Sequence, residues 1–96
     1  MGRFADHGTE DIANGLDTRS ARSTCPTTLW PSVRRKLDIV LYASGLRDLR
    51  SPPGNRLEAL KGDRTDQYSI RVNERYRVCF VWSDQGAQEI EVVDYH

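Results

Sequence analysis

Apolar residues recur at two different spacings in this chain, and the change falls near Gly54. Leu29, Val33, Leu37, Val40 and Leu41 are separated by four, four, three and one. That is one stripe of an amphipathic helix, with Arg34, Arg35 and Asp38 on the opposite side. Thr27 or Thr28 is the expected cap, Pro31 sits in the first turn, and Ser44-Gly45 is a glycine-type stop. A short helical turn over 46–49 precedes Ser51-Pro52-Pro53-Gly54, which breaks the chain. Beyond the break the period is two. Tyr68, Ile70 and Val72 alternate with Ser69 and Arg71, and Tyr76, Val78, Phe80 and Trp82 alternate with Arg77, Cys79 and Val81. Ile90 and Val92 alternate with Glu91 and Val93. Asn73-Glu74, with Asn able to take a positive φ, and Asp84-Gln85-Gly86 supply the turns. The pattern predicts an α+β domain, with N-terminal helices packed on one face of a twisted antiparallel β-sheet. Ile70, Val72, Val78, Phe80 and Val92 would face the helix. Arg71, Arg77, Cys79 and Glu91 would form the other face, open to a ligand.

The first third of the chain is less informative. Residues 2–5 are a candidate short strand. Thr9, followed by Glu10 and Asp11, is a candidate cap for a short helix that ends at Asn14-Gly15. Residues 16–26 are polar, with almost no apolar side chain, and are expected to be a loop.

Composition sets the bounds. Ninety-six residues correspond to one small domain, here 1–96. Fourteen Lys plus Arg against fourteen Asp plus Glu give zero formal charge, which argues against binding to nucleic acid by bulk charge alone. The distribution is uneven. Six cations and four acids lie between Arg56 and Arg77, whereas four acids and no cation lie between Asp84 and Asp94. A local basic surface suits phosphate; the competing view is an ordinary solvated connection. No apolar run reaches membrane-span length, and the N-terminus lacks a signal-peptide core, so the expectation is a cytoplasmic protein with no membrane partner. Cys25 and Cys79 are then expected as two reduced thiols. With His7 and His96 they lack the paired spacing of a zinc site, so no metal is expected.

The run Gly54-Asn55-Arg56-Leu57-Glu58-Ala59-Leu60-Lys61-Gly62-Asp63-Arg64 resembles the HigB branch of the RelE/ParE toxin superfamily. So do Gln67–Asn73, Tyr76-Arg77-Val78-Cys79-Phe80 and the ending Val93-Asp94-Tyr95-His96. The combination at these separations is specific; any one segment alone is weak. The resemblance implies a RelE-like toxin fold. It also implies the toxin of a type II toxin–antitoxin system, a ribosome-dependent endoribonuclease that cuts mRNA. Implied partners are a HigA-like helix-turn-helix antitoxin, the ribosome and mRNA, with operator DNA met only through the antitoxin complex. No cofactor is implied. Lys61, Arg77, Asp94, Tyr95 and His96 occupy the positions implied as catalytic, and Arg56, Arg64 and Arg71 those of RNA or ribosome contacts.

The chemistry agrees with these residue types. RNA supplies its own nucleophile, the 2′-OH beside the scissile phosphate. The protein must help remove that proton, stabilise charge at phosphorus and protonate the leaving 5′-oxygen. Arg77 can grip two phosphate oxygens, and Lys61 is a second cation. Histidine titrates nearest to neutrality, so His96 suits proton transfer. Tyr95 can stack on a base or orient a phosphate, and Asp94 can orient His96 or a cation. Each has a structural alternative: Lys61 a turn residue, Arg77 a cross-strand partner of Glu91, and residues 94–96 a frayed end. Glu58 stands where some family members carry histidine, Val81 where arginine is frequent and Ala13 where phenylalanine is common. A non-catalytic binding module, such as a ParE-like gyrase inhibitor or an antitoxin-binding remnant, is the alternative function.

Overall fold

The computed structural model describes residues 3–95. Three α-helices precede a four-stranded sheet. They are α1 (His7–Ala13), α2 (Arg19–Thr24) and α3 (Trp30–Tyr42), followed by β1 (Glu58–Ala59), β2 (Gln67–Arg71), β3 (Tyr76–Ser83) and β4 (Gly86–Asp94). The sheet is an antiparallel meander in the order β1-β2-β3-β4. The α+β reading of the sequence therefore holds.

The apolar stripe of α3 does what its period implies. Val33, Leu37 and Val40 are buried, with Leu29 and Leu41 packed against them, while Arg34, Arg35 and Asp38 are exposed. Across the core lie Ile70, Val78, Phe80, Ile90 and Val92. Each such side chain contributes about 1.5–3 kcal/mol by leaving water. The helix begins differently from the expectation. Thr27–Leu29 form a 3₁₀ turn that runs directly into α3, so neither threonine caps it, although Pro31 does occupy the first turn. At the other end Gly45 is extended (φ −159°) rather than left-handed. The Asp48 carboxylate accepts from the Ser44 and Gly45 amides and turns the chain there.

Two expectations about the N-terminal third are corrected. Asp6, not Thr9, caps α1, its carboxylate accepting from the Thr9 amide at 2.7 Å. The Thr9 hydroxyl instead accepts from the buried Val92 amide at 3.0 Å and ties α1 to β4. Residues 16–26 are not simply a loop, because they contain α2. Thr18 caps it and Ala21 is its buried contact. Periodicity missed α2 because one alanine is no stripe; close backbone approach holds it instead. A Cβ on Gly8 of α1 would lie 2.0 Å from Thr24 Oγ1 and 2.6 Å from the Ser20 carbonyl. The expected N-terminal strand is one parallel bridge, Phe4 to Ile90.

The β2–β3 turn works by a different device from the one expected. Asn73 does not adopt a positive φ. Its side-chain oxygen accepts from the Arg75 and Tyr76 amides at 2.9 and 2.8 Å. A bulge at Glu89 (φ 51°) shifts the β3–β4 register between Cys79 and Val81. It keeps Ala87, Ile90 and Val92 all on the core side. Cys25 and Cys79 are free and buried. Among the described residues no helix is long and apolar enough to cross a membrane.

Candidate functional site

The sheet face away from the helices was expected to be open. Much of it is covered. Ser69 and Cys79 have no exposure and Arg77 only 9%. The strand β1 adds to the edge beside β2, pairing Glu58 with Ser69 and Ala59 with Tyr68, and the Arg56 carbonyl reaches Arg77 on this face. What stays open is a cleft of about 540 Å³, lined by Arg56, Glu58, Arg71, Asn73, Glu74, Arg77 and Tyr95.

Arg77 lines it, and its burial corrects the solvent-facing position expected from strand alternation. Its Nε donates to Ser69 Oγ at 2.7 Å and its Nη2 to the Arg56 carbonyl at 2.6 Å. Glu58 Oε1 stands 3.8 Å from Nη2. A planar guanidinium held at two points has its direction fixed, and its remaining N–H groups are directed by that hold. Glu91, the structural alternative for Arg77, is taken by Arg64 at 2.7 Å. Arg71 stands directly opposite Arg77 across the β2–β3 ladder. Like charges in that relation repel, an arrangement that an anion between them relieves. Arg56, Arg71 and Arg77 face only Glu58 and Glu74 in the cleft wall, so the cleft is cationic although the chain is neutral.

Tyr95 enters from the end of β4. Its amide donates to the Arg75 carbonyl at 2.5 Å, extending the ladder past Asp94. Burial and the neighbouring Cys79 push its phenol above the ordinary value of about 10.0, so it is protonated at neutral pH. Burial likewise pushes the Cys79 thiol up. Asp94 is gripped by Arg75 through three contacts of 2.8–3.0 Å, and the Arg75 guanidinium also lies over the Tyr76 ring. The cation that Asp94 orients is thus Arg75.

Of the residues singled out in the sequence, Arg56, Arg71, Arg77 and Tyr95 converge on the cleft. Lys61 is exposed at the start of a 3₁₀ turn, Gly62–Arg64, and does not line it. Arg64 is held by Glu91 and Gln67 rather than facing the cleft. His96 lies outside the described residues. Sequence reasoning missed Glu58 as a cleft group, and with it Ser69, Asn73, Glu74 and Arg75. Glu58 sits in the same run as Arg56 and Lys61, and Asn73-Glu74 is the turn between the strands carrying Arg71 and Arg77. Those positions were the available signal.

The family model for RelE-like toxins of type II toxin–antitoxin system HigB matches residues 3–96. Toxin HigB-1 of Vibrio cholerae serotype O1 is 46% identical over 59 residues, 62% of this chain and 62% of that protein. An uncharacterized protein of Haemophilus influenzae is 40% identical over 68 residues, 71% of this chain and 67% of that protein. The alignment with the Vibrio toxin thus spans less than two thirds of its length, whereas the family model spans nearly all of this chain. With a helix-backed antiparallel sheet and a cationic cleft beside Tyr95, the chain belongs to the HigB-like toxins, the RelE-like toxins of type II toxin–antitoxin systems.

Proposed function

We propose that this toxin is a ribosome-dependent endoribonuclease that cuts mRNA during translation without a metal ion. The supporting observation is the buried, doubly held Arg77 guanidinium in a cleft shared with Arg56, Arg71, Glu58 and Tyr95. A preorganised cation facing a phosphorane costs no reorganisation at the moment of reaction. Such a group contributes about 3–4 kcal/mol to the transition state.

The steps follow from RNA chemistry. The scissile phosphate sits between Arg77 and Arg71. The 2′-oxygen attacks phosphorus, forming a 2′,3′-cyclic phosphate and breaking the P–O5′ bond. Glu58 is the carboxylate beside Arg77 that accepts the 2′-OH proton. Tyr95 stacks on a base or donates to a phosphate oxygen. His96, a residue type suited to proton transfer, protonates the departing 5′-oxygen, and by the resemblance Lys61 adds a further cation. Asp94 holds the terminal segment through Arg75. Arg56 contacts RNA from the cleft wall, and by the resemblance Arg64, held by Glu91 beside the cleft, meets RNA or the ribosome. Positioning of the 2′-OH by the decoding site supplies much of the rate. The partners are then a HigA-like antitoxin, the ribosome and mRNA, in the cytoplasm, with operator DNA met only in the antitoxin complex.

The test is induced expression followed by mapping of mRNA 5′ ends in translating cells, alongside purified protein with free and ribosome-bound mRNA. Cuts confined to translated, ribosome-bound mRNA are expected. Efficient cutting of naked RNA at low protein concentration rejects ribosome dependence. Growth arrest with intact mRNA rejects the nuclease and favours a ParE-like binding toxin.

A further inference from the structure

Asn55 has no exposed surface although it lies in a surface connection. Its Nδ2 donates to the carbonyls of Leu49 (3.3 Å) and Ser51 (3.2 Å), and its Oδ1 accepts from Lys36 Nζ of α3. Its backbone amide donates to the Pro52 carbonyl at 2.9 Å. Both side-chain donors and the acceptor are therefore engaged. A turn alone requires no such buried network, which is stabilising only when fully satisfied.

The next residue shows what the network holds. Arg56 is left-handed (φ 47°, ψ 59°), a conformation that disfavours side chains other than glycine and asparagine. In that conformation its carbonyl meets Arg77 Nη2 at 2.6 Å. One peptide thus separates the buried Asn55 node from the acceptor that aims Arg77. Lys36 extends the node to α3, on the other side of the sheet, so the acceptor is anchored to the core through more than its own connection. The Lys36 ammonium is half-buried and bonded to a neutral amide.

We infer that Asn55, locked by Lys36, is the positioning residue that fixes the direction of the Arg77 guanidinium in the cleft. This rests on the proposed role of Arg77 as the phosphate-holding cation. Asn55 itself does not touch RNA.

The test compares Asn55→Ala and Lys36→Met in the full chain with Val33→Ala, a core truncation on α3, as the stability control. Two quantities are read: hydrogen exchange of the Arg77 side-chain N–H groups by NMR, and single-turnover cutting of ribosome-bound mRNA. Displacing a reacting group by about 1 Å costs on the order of 100-fold in rate. Asn55→Ala is expected to lose roughly 10- to 100-fold in the cutting step and to accelerate Arg77 exchange about tenfold. Its ribosome affinity should stay near parental. Lys36→Met should move both readouts in the same direction by less, and it decides the matter if Asn55→Ala does not fold. Val33→Ala should move neither. Parental Arg77 exchange and cutting in both node variants, or equal changes in Val33→Ala, reduce Asn55 to a structural residue and overturn the inference. If Arg77→Lys itself cuts at the parental rate, the reading of Arg77 fails, while Arg77 exchange still decides whether Asn55 positions it.

Discussion

Replacing Arg77 by alanine should lower both activity and stability, and the structure sets the size of each. The residue is 9% exposed and its hydrogen bonds satisfy Ser69 Oγ and the Arg56 carbonyl. A hydrogen bond to a charged group is worth about 1.5–3 kcal/mol, and an orphaned buried partner costs about 1–3. Relief from desolvating the guanidinium offsets part of this. A net loss of about 2–4 kcal/mol follows, and at about 4–8 °C per kcal/mol for a domain this small the melting temperature should fall by roughly 10–30 °C. On top of this, a missing transition-state cation costs on the order of 10²–10³ in rate. Arg77→Lys keeps the charge but loses the fork that reaches both acceptors, so it should recover only part of either loss. Thermal melts by circular dichroism give the first quantity. Single-turnover mRNA cutting, well below each variant's melting temperature, gives the second. If the alanine variant melts within a degree or two of the parent, the burial argument is wrong. If it cuts mRNA at the parental rate, the assignment of the cleft is wrong.

Glu58→Gln should keep the fold, because Glu58 is exposed, and should lower cutting by about 10²–10⁴-fold as expected for a lost proton acceptor; a near-parental rate in the same assay moves that role elsewhere. Thr9→Val should cost about 1–3 kcal/mol by orphaning the Val92 amide, while Thr9→Ser stays near parental, as read from denaturant melts. Gly8→Ala should cost about 1–3 kcal/mol by driving α1 off α2, and an unchanged melting temperature removes that close approach from the account. Both cysteines and Tyr95 have pKa values raised by burial, so the native state favours their protonated forms. That stability is complete at neutral pH and is lost as pH rises past about 9.0, the ordinary cysteine value. Melting temperatures from pH 7 to 10.5 should fall over that range, more shallowly in Cys79→Ala (roughly, by its share of the linkage).

The parts of the fold written as period were legible. The α3 stripe and the core-facing residues Ile70, Val78, Phe80 and Val92 lie where spacing put them, because packing between helix and sheet enforces the period. The parts that depend on single hydrogen bonds were not. Nothing in the local sequence separates Thr9 as a cap from Thr9 as a partner of Val92, eighty-three residues away. Alternation assigned Arg77 correctly to the face away from the helices. It gave no sign that the Ser69 hydroxyl and the Arg56 carbonyl would hold the guanidinium against the sheet, which is how a residue expected in solvent becomes buried. Arg56, Arg71 and Arg77 were found because resemblance and charge agreed on them, and Tyr95 by the resemblance alone. Glu58 was read only for the imidazole it lacks.

The segment around Phe4 bears on how the molecule behaves in concentrated solution. The Ile90 amide donates to the Arg3 carbonyl, its carbonyl accepts from the Ala5 amide, and Arg3 also reaches the Ala87 and Leu41 carbonyls. These bonds cover the outer edge of β4 at its bulge, and the opposite edge is closed by a β1 only two residues long. Unpaired edges are templates on which a second chain can add a strand. Removing residues 3–5 therefore does more than shorten the protein: it converts a covered border into a surface for β-addition, with assembly that grows with concentration and shows first in light scattering.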